Sequence, residues 1–294
     1  MGNAATLPSP PIRPEVEYPA VAAGTIAEVE QSRSPIARVL DRTWVRRTIV
    51  LVVMAVVWEV YARLVNNALL FPTFSSVIAS LYESVVAGPL LGRIWFSLKI
   101  LVMGYTIGVV LAALLTSLAV STRIGSDILS TFTSMFNPLP AIALLPLSLM
   151  WFGLGVGSIV FVTVHSVLWT VALNMNSGFR GVPDAQRMAG RNYGLGGLRF
   201  VALILMPAAF PSILAGLKIG WAFAWRTLIA AELVFGASSS SGGVGWFIFE
   251  ARNQLETPRV FAGLLAVIII GLLVENVIFR TIEARTVIRW GMQR

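Results

Sequence analysis

Three ionisable residues share one apolar run of the chain: Lys218, Arg226 and Glu232. Lys218 and Arg226 are eight residues apart, a spacing that sets both on one face of a helix. Inside a bilayer such groups are costly, and they mark either contacts to a passing ion or paired structural charges. The planar fork of Arg226 suits carboxylate, nitrate or sulfonate oxygens, so its candidate role is to attract an anion. The competing reading is an ion pair with Glu232 or Glu275. Glu232 follows Arg226 by six residues, a poor helical match, and is expected to partner another helix or a second copy of the chain. His165 stands alone in an apolar stretch, as a contact on a solute path or as an internally hydrogen-bonded group. Asn137 is a further candidate for that path. Asn137, Asn174 and Asn176 can equally serve as glue between helices.

The same inventory excludes most covalent chemistry. Cys is absent, which removes disulfides, Cys-bound zinc, iron–sulfur clusters and thiol nucleophiles. A single His excludes multi-His metal sites. Neither Lys99 nor Lys218 follows Gly or precedes Ser or Thr, so there is no P-loop, and any ATP used here would be hydrolysed by another chain. No metal and no cofactor is expected. A membrane-embedded enzyme would need a clustered His, Asp or Ser constellation. A secondary transporter driven by an ion gradient would carry paired intramembrane carboxylates or repeat symmetry. Neither pattern is present.

The elements that must position these residues are membrane helices. Hydrophobic residues make up 56% and charged residues 12% of the 294, against about 25% charged in soluble domains. Mean hydropathy is +0.80. The net charge of +8 comes largely from Arg clustered in short stretches between apolar runs. That layout signals membrane topology, and no nucleic-acid partner is expected. Residues 1–43 read as a polar, Pro-rich, disordered tail. At about 20 residues per span, apolar runs predict membrane helices near 46–66, 97–120, 129–150, 158–177, 208–234 and 259–279. From Ile128 to Phe179 no Asp, Glu, Lys or Arg occurs, and Gly153, Gly155 and Gly157 are the expected fold-back. Prolines 138, 140 and 146 interrupt the run before it. Phe74, Val77, Ile78, Leu81 and Val85 recur at helical spacing, for a helix lying flat on the membrane or buried against the bundle. Six spans put both termini on one side. Fifteen of the 22 basic residues fall in the tail and loops of that side, which makes both termini cytoplasmic.

The connection 179–206 is the longest on the cytoplasmic side. Gly181-Val182-Pro183 opens a short helix and Asp184 suits its first turn. Gly194, Gly196 and Gly197 break it before a second apolar segment that runs to Pro207. A rigid knob of two short helices is one reading, and a plain amphipathic loop the other.

The pattern Met188-Ala189-Gly190, three residues, Gly194, nine residues, Ile204-Leu205-Met206-Pro207 resembles the Glu-Ala-Ala loop of ABC importer permeases. Met188 stands where that pattern has Glu, Gly190 where it has the second Ala, and Met206 where it has Leu. Docking at Met188 is therefore expected to rest on apolar contact. The resemblance extends over nearly all of residues 44–294. Pro138-Leu139-Pro140 through Leu147, Trp151-Phe152-Gly153, Trp225, Ala231-Glu232, Gly243-Val244-Gly245-Trp246 and Arg259-Val260-Phe261-Ala262-Gly263 are similar to the nitrate/sulfonate/taurine branch.

The resemblance implies an all-α membrane protein with the six-helix type I ABC importer permease fold over residues 44–294. Its coupling loop, with Asp184, Arg187, Met188, Ala189, Gly190, Gly194 and Pro207, would dock on an ATPase. It implies two permease copies forming a homodimer, two cytoplasmic ATP-binding subunits and an external solute-binding protein, in a bacterial cytoplasmic membrane. The solute class it implies is small anions such as nitrate, sulfonates, taurine or bicarbonate.

Overall fold

In a bilayer every backbone N–H and C=O must be paired within the protein, so long apolar runs become helices. The computed structural model describes residues 42–235 and 242–291, and these contain helices and no strand. The tail expected at residues 1–43 lies outside the described residues up to position 41, as does the Ser-rich stretch 238–241. Eleven helical elements follow among the described residues: α1 (Thr43–Val65), α2 (Phe74–Val86), α3 (Leu90–Val120), α4 (Arg123–Phe136), α5 (Ala141–Phe152), α6 (Val156–Arg180), α7 (Asp184–Asn192), α8 (Gly197–Ala208), α9 (Phe210–Phe235), α10 (Val244–Asn253) and α11 (Thr257–Ile288). By their contacts the residues divide into Met1–Val56 and Val57–Arg294. The described part of the first unit is the opening of α1, where the Thr48 hydroxyl donates to the Trp44 carbonyl at 3.0 Å. Everything below concerns the second unit, apart from the full length of α1.

Five helices are long and apolar enough to span a membrane: α1, α3, α6, α9 and α11. The pair α4 and α5 makes a sixth span bent by 88°. The span expected near 129–150 is broken where its prolines fall, and it begins earlier than expected, at Arg123. Pro138 and Pro140 have no N–H to donate and their rings block a continuing helix, so the chain turns between Phe136 and Ala141. The glycine fold-back falls where expected, between Phe152 and Val156. Gly153 sits at φ +69°, and the Ser158 hydroxyl donates to the carbonyls of Ser148 (3.0 Å) and Gly153 (2.7 Å). The last span is longer than expected. α11 runs on from 279 to Ile288, with wider, π-type turns at Val274–Phe279 and Ala284–Ile288.

α6 is the central helix, packed on α3 on one side and α9 on the other. A Cβ on Gly108 would lie 2.7 Å from Val167, and one on Gly216 would lie 2.6 Å from Asn174, so small residues let the helices approach closely. α2 settles its two readings. It packs against α11 with Val77 fully buried, and Thr73 caps its first turn by accepting from Ser76 N. The Glu59 carboxylate also lies at this helix start and accepts from Ser75 N at 3.0 Å and Ser75 Oγ at 3.0 Å. Its partner Arg63 is one turn away at 2.7 Å. The charges that interrupt the first apolar run therefore serve to cap the next helix.

Candidate functional site

The exposed face of α9 follows from helical spacing. Ala215, Ile219, Phe223 and Arg226 lie at steps of four, four and three, and all four are exposed. Arg226 is nine residues from the Phe235 end, roughly 14 Å along the axis, well inside a bilayer core of about 30 Å. Lys218 and Arg226 line one open cavity of about 670 Å³ between α9 and α11, together with Trp225 and Glu275. The eight-residue spacing does bring them to one face. Lys218 is paired with Glu283 at 2.5 Å. Among the described residues Arg226 makes no ion pair with Glu232 or Glu275, and its guanidinium lies 5.8 Å from the Phe223 ring centroid.

Glu232 has the opposite surroundings. It is 3% exposed. Ser97 Oγ of α3 donates to its two oxygens at 2.7 and 2.9 Å, and Gly245 N at the start of α10 donates at 2.8 Å. Ser97 Oγ in turn accepts from Val244 N at 2.9 Å. Nearby, Arg93 donates to the Gly242 carbonyl at 2.8 Å and lies 3.6 Å from Glu250. Glu232 does partner other helices, and its carboxylate ties α3 and α10 to one end of its own helix α9.

His165 and Asn137 meet in a second cavity, of about 360 Å³. Asn137 enters from the bend after α4 and His165 from α6. Phe136, Trp169, Phe223 and Thr227 complete much of the wall. Phe136 stacks on Trp169 with centroids 4.9 Å apart, and its ring is edge-on to His165 at 6.3 Å. Both ring nitrogens of His165 and Nε1 of Trp169 are buried without a hydrogen-bond partner. The reading of His165 as an internally hydrogen-bonded group is not met among the described residues, where neither ring nitrogen has a partner although Asn137, Ser166, Thr170 and Thr227 share its cavity. Asn137 bridges elements, its Oδ1 3.5 Å from the Thr170 hydroxyl. Asn174 donates to the Thr170 carbonyl of its own helix, and Asn176 Oδ1 is buried without a partner, so among the described residues neither bonds another helix through these atoms.

The connection between α6 and α9 is a knob of two helices. α7 starts at Asp184 after Pro183 and ends in a Schellman turn. Gly194 N donates to Arg191 O at 2.9 Å, Leu195 N donates to Gly190 O at 3.1 Å, and Gly194 takes φ +74°. Gly190 is buried where α7 meets α8, since a Cβ there would lie 2.8 Å from Ile204 and 3.0 Å from Phe200. Arg187 fastens the knob to α6 by donating to the carbonyls of Val182 (3.0 Å) and Phe179. Met188 (60% exposed), Tyr193 (85%), Leu198 and Leu203 stand out from it. Asp184, Ala189 and Pro207 are exposed as well.

Residues 104–286, well over half the chain, match the family of binding-protein-dependent transport system inner membrane components. The chain belongs to that family. A relative in Methanocaldococcus jannaschii, provisionally named an ABC transporter permease protein, is 30% identical over 75% of this chain and 83% of its own. The nitrate import permease protein of Synechocystis is 26% identical over 84% of this chain and 91% of its own. The taurine transport system permease protein of Escherichia coli is 32% identical over 50% and 52%. This inner membrane component is thus the multi-pass, membrane-spanning permease subunit of an ATP-binding cassette importer. Its family works with an ATPase and a solute-binding protein. An ion-gradient-driven transporter finds no support in these matches. Within the permease, reading by charge passed over Phe136, Trp169 and Thr227. None is ionisable, and nothing in the sequence separates Trp169 from the other eight tryptophans. The polar pair Asn137 and His165 on either side of the Pro138 break was the available signal. Ser97, the partner of Glu232, is also uncharged and 135 residues away.

Proposed function

We propose that this permease imports a small anion of the nitrate, sulfonate, taurine or bicarbonate class. It works as a homodimer with two cytoplasmic ATP-binding subunits and an external solute-binding protein, in a bacterial cytoplasmic membrane. The carrying observation is Arg226: an exposed arginine nine residues inside the apolar helix α9, lining a cavity, with no ion pair among the described residues. Lipid would not tolerate that face bare, and a water-filled path between two copies would. The relatives named for nitrate and taurine point to the same solute class.

The knob at 179–206 is the docking element. It lies on the arginine-rich side that carries both termini, with residues 1–43 as a cytoplasmic tail. Its contact with the ATPase is apolar, because Met188, Tyr193, Leu198 and Leu203 project from it. Arg187, Gly190 and Gly194 hold its shape, while Asp184, Ala189 and Pro207 frame it. Glu232 is structural and does not touch the solute. Arg226→Gln keeps a hydrogen-bonding side chain and removes the charge. It should cut uptake into proteoliposomes about tenfold, roughly one lost charge-assisted contact, while the complex still assembles. Failure to assemble would turn Arg226 into a structural residue, and normal uptake would remove it from the path.

A further inference from the structure

We propose that the cavity between the α4–α5 bend, α6 and α9 is a resting subsite for the solute, that it takes a small organic anion with an apolar body, and that Phe136 is its lid. The inference rests on the import reading above and deepens it by naming the kind of anion.

Size is the first argument. The cavity holds about 360 Å³, whereas a four-atom ion such as nitrate needs roughly the space of two waters, about 60 Å³. The volume falls at the lower end of small-molecule pockets, which start near 300 Å³.

The walls are the second. Phe136, Trp169, Phe223, Pro138 and Pro140 offer flat apolar surface for an organic body. No carboxylate lines the cavity, so a cation would find no counter-charge there.

The donors are the third. A Trp indole can only donate, and an imidazole carries at least one N–H. Trp169 Nε1 and both His165 nitrogens are buried with no partner. Leaving a buried polar group unpaired is unfavourable. Keeping this set side by side on α6 makes sense if an acceptor from outside the chain completes it. Oxygen atoms of a sulfonate or carboxylate are such acceptors.

Phe136 explains why the donors are closed off. Its ring lies on Trp169 and against His165. It is the last residue of α4, directly before the 88° bend, so a change in that bend carries the ring away. Arg226 is next to the cavity rather than in it. Phe223 is in the cavity wall and also under the Arg226 guanidinium, so an anion drawn by Arg226 arrives beside the subsite.

The chain contains no cysteine, which makes a direct test possible. Thr227→Cys places one thiol in the cavity of the full complex in proteoliposomes, with Ser166→Cys as a second position should the first disturb assembly. Labelling of this chain is followed by mass with 2-sulfonatoethyl methanethiosulfonate and with its trimethylammonium counterpart. Relative to its rate with a free thiol in solution, the anionic reagent should react faster than the cationic one. Adding Phe136→Ala should speed it about tenfold, if the lid is open in about a tenth of molecules. Benzenesulfonate should protect the thiol and nitrate at the same concentration should not. Trp169→Phe keeps the ring and removes the N–H, and should weaken that protection about tenfold. Equal normalised rates for the two reagents, or no protection by benzenesulfonate, overturns the subsite. Protection by nitrate as strong as by benzenesulfonate overturns the organic-anion assignment. An unchanged rate in Phe136→Ala overturns the lid. Co-purification of an ATPase in the same preparation checks the import reading separately, so a complex that assembles and imports without protection sinks the subsite alone.

Discussion

The two ends of α9 treat charge in opposite ways. Toward Phe235, Glu232 is buried and bonded to Ser97 and Gly245. Nine and seventeen residues before that end, Arg226 and Lys218 line an open cavity, and Arg226 has no ion pair among the described residues. Beyond Phe210 the chain continues into the knob of α7 and α8. The same helix is thus latched at one end, open in the middle and joined at the other to the knob proposed as the docking element. An ionisable residue at membrane depth is structural or functional according to what its neighbours leave unsatisfied. Its charge alone does not decide.

The largest effect should come from the latch. Glu232→Ala strips the acceptor from Ser97 Oγ and Gly245 N, and should lower stability of the solubilised permease by about 2–4 kcal/mol. Thermal unfolding followed by loss of monodisperse complex measures it. Glu232→Gln should recover part of the loss, since its carbonyl still accepts. A fully stable Glu232→Ala would mean that the two ends do not differ as argued.

Next comes the knob. Gly194→Val forces a β-branched residue into φ +74°, at about 1–2 kcal/mol of local strain. Solute-stimulated ATP hydrolysis should fall several-fold while the bundle remains folded. Wild-type coupling in that variant would show that the knob does not transmit motion to α9. A smaller effect separates apolar from charged docking: Met188→Leu should leave uptake unchanged and Met188→Asp should reduce it. Improved uptake with Asp would reverse the assignment. The smallest effect should be deletion of residues 2–30, which is expected to leave uptake within about twofold because a polar, Pro-rich segment has little apolar surface to pack. Loss of ATPase association on that deletion would make the tail a second docking element.

Much of the knob was legible from residue types. Pro183, Asp184 and Gly194 are local signals, and helix starts and glycine turns depend on neighbours a few residues away. The sixth span was legible only in part. The missing charges from Ile128 to Phe179 mark it as membrane, and the prolines mark an interruption. An 88° turn, however, depends on how α4 and α5 pack against α6. The candidate path divided in the same manner. Arg226 and Glu232 look alike by position and hydropathy, and they separated once Ser97 and the start of α10 were in place.

The sequence by itself determined the class of the molecule. Apolar runs of about 20 residues flanked by clustered arginines satisfy their backbone as membrane helices. Spacing determined which residues share a face of α9. Tertiary structure alone decided which charge is latched and which is open, and it alone brought Asn137, His165 and Trp169 into one cavity under Phe136. The physical reason is range. Capping and periodicity act within a turn or two, whereas pairing a buried carboxylate or leaving a ring nitrogen unpartnered depends on helices that meet far apart in the chain.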